Sequence, residues 1–220
     1  MAAPAPAAHL VRTDGLSYDP GVACHHLSQA DPRLGALMVR AGPFTMRPRP
    51  AQSLFSALMR SIVYQQLTGK AAETILGRAI RACGPGRFPT PGQVLAIPPE
   101  RLREAGLSTA KTAAVRDLAS KTLDGTVPSL ARIRRMEDEE IIQRLTQVRG
   151  IGRWTVEMLL MFRLGRPDVF PVTDLGVRKG FGLVFLRGKL PETATMVRRG
   201  ERWRPYRSVA SWYLWRALEL

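Results

Sequence analysis

Apolar residues recur along this chain at helical spacing and almost nowhere alternate. Leu34, Leu37 and Met38 share one face behind Asp31-Pro32, an N-cap followed by proline at the first helical position, and predict a helix over 31–41. Leu54, Phe55, Leu58, Met59, Ile62 and Val63 form a stripe broad enough to be buried. Ser53 caps that helix, 53–66, which is expected to end near Gln65 and Gln66. Thr68-Gly69-Lys70 turns into a helix over 71–82, stopped by Gly84-Pro85-Gly86. Further helices are expected over 99–105, over 109–123 behind Ser108, over 137–148 with acids in the first turn, over 153–164, over 174–185 and over about 205–218. Proline-rich stretches, 42–50 and the loop holding Pro167 and Pro171, read as extended links. No strand pair with hairpin chemistry and no long-period repeat occurs, so the fold class is all-α.

Composition narrows the partners. The 220 residues carry 33 Lys and Arg against 18 Asp and Glu, a formal charge of +15. That excess suits a polyanion, because phosphate contacts release condensed counterions. Arginine scattered over a solvated surface is the plainer alternative. An anionic membrane is the other, but no basic amphipathic helix stands out. No run of about 18 apolar residues exists to span a bilayer. The Ala- and Pro-rich start has no secretion pattern, and residues 1–30 are expected to form a partly disordered tail. Two cysteines, Cys24 and Cys83, are too few for a disulfide framework, a structural zinc or a four-cysteine iron–sulfur cluster. Cys83 is expected in the core. A reducing bacterial cytoplasm, near the nucleoid, is the expected location.

The segment LTQVRGIGRWTVEM, 145–158, ends one helix, turns through Gly150-Ile151-Gly152 and begins another. Two glycines permit positive φ and let the backbone approach a ligand closely. The N–H groups of the next helix point into the same space, making a seat for a phosphate that Arg149 and Arg153 flank with charge. The turn carbonyls of Thr146, Val148 and Ile151 form a candidate site for Na+ or K+. A tight helix–helix turn with no ligand is the competing reading.

This block resembles the helix-hairpin-helix element of base-excision DNA glycosylases: Leu145, Val148, Gly150, Ile151, Gly152 and Thr155 match it, and Val156 replaces the usual alanine. Four further blocks are similar to the 3-methyladenine DNA glycosylase II group: SIVYQQLTGKAA (61–72), GLSTAKTAAVRDLA (106–119), RLGRPDVFPVTDLGVRKG (163–180) and WRPYRSVASWYLW (203–215). The resemblance spans about residues 30–220. It implies one domain over 31–220, with a subdomain at roughly 50–150, a second from 31–49 plus 151–220, and the active-site cleft between them. The compact form, without the extra N-terminal β-rich domain of larger relatives, is expected.

The resemblance also assigns residues. The essential aspartate of the family falls on Asp174, which by position alone reads first as an N-cap. Where glycosylase/lyases carry a Schiff-base lysine, two residues after the second hairpin glycine, this chain has Trp154. A monofunctional enzyme on double-stranded DNA containing alkylated bases follows, acting as a monomer, with no cofactor required. Leu67, with Gln66 beside it, is the candidate wedge for the space left by the extruded base, although a buried loop anchor fits it too. Thr68, Lys70, Arg178 and Lys179 are candidate DNA contacts. Trp154, Trp215, Tyr64 and Met158 are candidates for the base pocket, since a cationic base prefers an aromatic face; tryptophans at helix junctions also simply fill core. Trp203 and Trp212 are assigned to packing, and His9, His25 and His26 receive no role. Two rivals remain: a non-catalytic helix-hairpin-helix DNA-binding protein, and a glycosylase/lyase for oxidised bases.

Overall fold

A computed structural model describes residues 15–49 and 51–220, and among them every regular element is helical. The order begins with α1 (Pro20–Ala30), α2 (Pro32–Ala41), α3 (Leu54–Tyr64) and α4 (Gly69–Ala82). It continues through the short α5 (Pro91–Ala96) and α6 (Pro99–Glu104), then α7 (Thr109–Leu123), the single turn α8 (Leu130–Ile133) and α9 (Asp138–Leu145). Next come α10 (Arg153–Phe162), α11 (Leu175–Phe185), α12 (Thr193–Gly200) and α13 (Arg207–Arg216).

The chain divides into two compact units. One comprises Met1–Pro50 with Leu160–Leu220, the other Ala51–Leu159. The second boundary falls inside α10, not ahead of the hairpin at 150/151, so the whole glycine turn lies in the 51–159 unit.

In the 51–159 unit, α7 packs against α3, α5 and α6. Leu58, Met59 and Ile62 of α3, Leu102 of α6, Leu118 of α7, and Ile141 and Leu145 of α9 are fully buried. Each such side chain contributes about 1.5–3 kcal/mol on leaving water. The stripe read from α3 is therefore its core face. Ser53 caps it as expected, and the Ser53 and Ser56 hydroxyls each accept the other residue's amide N–H.

In the other unit, α11 lies against α13, and α2 packs on both. Trp203 is wholly buried, with ring centroids of Phe170 at 5.4 Å and Phe185 at 5.8 Å. Its indole N–H donates to Asp31 Oδ2 at 3.1 Å. Asp31 is fully buried, caps α2, and takes two bonds of 2.8 Å from Arg199 of α12. Burial alone would raise its carboxyl pKa; the Arg199 and Trp203 bonds outweigh that and hold it below its ordinary value. Packing thus accounts for Trp203, and the half-buried Trp212 stacks edge-on against Phe44 at 5.0 Å.

Three expectations need correction. The tail expected over 1–30 is not a tail at its described end: Asp19 caps α1, and Ala23 and Leu27 are fully buried; residues 1–14, with His9, lie outside the described residues. The Ala/Pro-rich start lies ahead of α1, and a helix with two fully buried side chains and no broad apolar stripe is not legible there. Helices α5, α8 and α12 are not predicted either, since segments of 6, 4 and 8 residues are too short to show a readable stripe and are set by contact with the rest of the fold. Cys83 ends α4 half-buried, outside the core.

Candidate functional site

The glycine turn is built by its backbone. After α9, Val148 N–H donates to the Leu145 carbonyl at 3.1 Å, and Ile151 N–H to the Val148 carbonyl at 3.0 Å. Val148 and Ile151 are buried and anchor the turn to the core. Gly150 sits at φ 77°, where an L side chain is strained; Gly152 has no positive φ, so only one of the two glycines is needed for conformation. A Cβ added at Gly152 would meet nothing within 4 Å, so no packing contact requires glycine there. Helix α10 starts at the next residue, and Val156 N–H is the first to return, to the Gly152 carbonyl at 3.3 Å. Its first-turn amides therefore have no intrahelical acceptor and suit an anion.

Three residues that sequence reasoning missed hold this turn in place, and a fourth, Lys111, holds the segment carrying one of them. Asp117 of α7 accepts the Arg149 amide N–H at 2.7 Å and Lys121 Nζ at 2.8 Å. Burial pushes the Asp117 pKa up, but those two donors outweigh it and set it below the ordinary value. Lys121 also donates to the Gln147 carbonyl. Gln65, just after α3, donates from Nε2 to the Gly150 carbonyl at 2.8 Å. Lys111 donates to the carbonyls of Val63 and Gln65. No spacing rule links residues so far apart in the chain, so no signal in the sequence pairs them.

The other candidates in this unit divide. Arg149, Gln66, Thr68 and Lys70 are exposed, as are Leu67 at 38 % and Trp154 at 47 %. Exposure rules out Leu67 as a buried loop anchor. Thr155 and Met158 are half-buried on α10. Arg153 is exposed but paired: its guanidinium forks onto Glu139 at 3.0 and 2.8 Å and reaches Glu157 at 3.2 Å. Tyr64 is tied along its own helix, its hydroxyl 2.9 Å from Arg60 Nη1.

In the other unit, Asp174 stands at the head of α11. It is an N-cap, Oδ1 accepting the Val177 amide N–H at 2.8 Å. The same oxygen accepts the Trp215 indole N–H at 2.8 Å. Two glycines make this possible. A Cβ at Gly176 would lie 2.7 Å from Trp215 Cδ1 and 3.1 Å from Asp174 Oδ1. A Cβ at Gly180 would overlap the Leu214 carbonyl, so α13 can approach α11 only where side chains are absent. Trp215 is half-buried, with the Phe162 ring centroid at 5.7 Å.

The loop before Asp174 is stapled to α13. Ser208 Oγ donates to the Arg166 carbonyl at 2.7 Å and accepts the Val169 amide at 2.9 Å. Arg207 Nε donates to Asp168 Oδ1 at 2.6 Å. Of the two DNA-contact candidates on α11, Lys179 is exposed, whereas Arg178 is half-buried and donates from Nη2 to the Pro191 carbonyl at 3.1 Å. Among the described residues, no group of three His, Cys, Asp or Glu forms a metal site, the two cysteines are free thiols, and no helix is long and apolar enough to cross a membrane.

Comparison with known proteins places the chain in a family. The family model described as HhH-GPD superfamily base excision DNA repair protein matches residues 59–205. DNA-3-methyladenine glycosylase 1 of Schizosaccharomyces pombe is 36 % identical over 200 residues, covering 89 % of this chain and 86 % of the relative. Among solved structures, an S. pombe 3-methyladenine DNA glycosylase in complex with abasic DNA superposes with a TM-score of 0.76 at 36 % identity, over 90 % of this chain and 97 % of that one. A DNA-3-methyladenine glycosidase from Bacillus halodurans gives 0.81 at 34 % identity, over 89 % of this chain and 88 % of that one.

Proposed function

The chain belongs to the HhH-GPD superfamily of base excision DNA repair proteins, and from that premise we propose that it is a monofunctional DNA glycosylase. It hydrolyses the N-glycosidic bond of alkylated bases, of the 3-methyladenine and 7-methylguanine type, in duplex DNA. The observation that carries the reading is the Asp174 carboxylate, oriented at the head of α11 by Val177 and Trp215.

The chemistry needs little more. An N3- or N7-alkylated purine carries positive charge and leaves with the electrons of the C1′–N bond. The sugar becomes oxocarbenium-like, and a fixed carboxylate stabilises that charge and orients the water that attacks C1′. The Gly150–Gly152 turn and the first-turn amides of α10 seat a DNA phosphate, with Arg149 beside them. The Thr146, Val148 and Ile151 carbonyls suit a monovalent cation by donor type; Val148 already accepts one N–H and keeps a second lone pair. A cation there adds positive charge to the seat and takes no part in bond cleavage. Leu67 is the wedge, and Trp154 and Trp215 offer aromatic faces to a cationic base. Trp154 stands where a lyase needs its lysine amine, so no Schiff base forms.

The test is release of free 3-methyladenine or 7-methylguanine from methylated DNA by wild type and by Asp174→Asn. Wild-type release that falls by about 10²–10³-fold in the variant is expected. Equal release by both removes Asp174 from the mechanism. Tight binding without release by either supports a non-catalytic DNA-binding protein, and borohydride trapping of a covalent adduct would establish a lyase.

A further inference from the structure

The segment leaving α3 is held by two side chains to which the glycosylase chemistry gives no task. Lys111, in the first turn of α7, donates from Nζ to the Val63 carbonyl at 2.8 Å and to the Gln65 carbonyl at 2.6 Å. Gln65 leaves the helix at φ −55°, ψ 130° and reaches from Nε2 to the Gly150 carbonyl at 2.8 Å. Gln66 then takes φ 57°, a left-handed conformation that favours glycine, and the exposed Leu67 follows.

The placement of Lys111 is electrostatically unfavourable. A cation in the first turn of a helix faces the positive end of its dipole. Burial also pushes the Lys111 pKa down, where a surface lysine would keep its head in water. What the ammonium gains is a pair of carbonyls from the end of α3, groups with no donor inside their own helix. Helices commonly end with glycine in the left-handed position. Here Gln66 occupies it, so the turn is held from outside and not by its own residues. Gln65 then links that turn to the hairpin.

We propose that Lys111 and Gln65 are positioning residues for base extrusion: Lys111 sets the path by which the chain presents Leu67, and Gln65 keeps the wedge in register with the phosphate seat. This rests on the glycosylase reading. Neither residue acts on the glycosidic bond, so their loss is felt in proportion to the work of extruding the base, which is least for an unpaired one.

Single-turnover release of 7-methylguanine is measured from two duplexes, one with the lesion paired to cytosine and one with it opposite an abasic site, for wild type, Lys111→Met and Gln65→Met. Loss of about tenfold on the paired duplex, with less than about twofold on the unpaired one, is expected of both variants. Equal loss on both duplexes, or none on either, overturns the proposal. Gln65→Met leaves both Lys111 bonds intact and decides the matter if Lys111→Met fails to fold. A second readout needs no chemistry: the fluorescence of 2-aminopurine beside a stable abasic analogue, which rises when a wedge unstacks it. If wild type releases no base, the glycosylase reading fails. The fluorescence then decides alone, a smaller rise in the variants supporting the proposal and an unchanged rise overturning it.

Discussion

The indole N–H of Trp215 and the amide N–H of Val177 converge on one oxygen, Oδ1 of Asp174, each at 2.8 Å. One bond is the ordinary business of an N-cap. The other comes from a helix more than thirty residues further along the chain and depends on the missing side chain at Gly176. A single carboxylate thus ends a helix and is aimed by an aromatic ring.

Gly176→Ala should break that aim. The new Cβ would meet Trp215 Cδ1 at 2.7 Å and force the indole aside. Overpacking of this kind costs about 1–3 kcal/mol of stability. Base release should fall at least about tenfold, as misplacement near a reacting centre does, while affinity for abasic DNA stays close to wild type. Single-turnover release and a binding titration on the same preparation separate the two effects.

The two hairpin glycines should respond differently. Gly150→Ala places a side chain at φ 77° with its Cβ 3.3 Å from that of Ala114, and a loss of about 1–3 kcal/mol is expected in urea unfolding. Gly152→Ala meets nothing, so stability should stay within about 0.5 kcal/mol. DNA affinity should nevertheless drop for Gly152→Ala, because the methyl group enters the open space of the proposed phosphate seat.

Arg199→Met should destabilise without touching chemistry. It leaves the fully buried Asp31 carboxylate with the Trp203 N–H and two α2 amides but no countercharge. Breaking a buried pair from one side costs about 3–5 kcal/mol. Urea denaturation measures the loss, and single-turnover release by the folded fraction should match wild type.

The same pair sets an acid limit. The folded-state pKa of Asp31 lies below its ordinary value of 3.8, so the unfolded chain binds the proton first. Its contribution is fully present above that value and is lost as pH falls through the lower folded pKa. The unfolding free energy should therefore change little between about pH 7 and 5 on this account and fall below about pH 4. Asp31→Asn should be less stable at neutral pH and lose less on acidification. An equally steep acid loss in that variant would assign the effect to other carboxylates.

The sequence by itself determined the all-helical fold, the capped stripe of α3 and the glycine turn, because these depend on neighbours three or four residues apart. It also singled out Asp174 and Trp215, through blocks shared with the glycosylase family. It could not pair them: their hydrogen bond exists only because Gly176 and Gly180 let α13 close on α11. Nor could it show that Arg153 pairs with Glu139 and Glu157 while the Arg149 amide is held by Asp117. A charge is legible in a sequence, but its partner is set by distance in space. Lys111 and Gln65 show the same limit most clearly, because their partners are backbone carbonyls, which every residue carries and no sequence pattern marks.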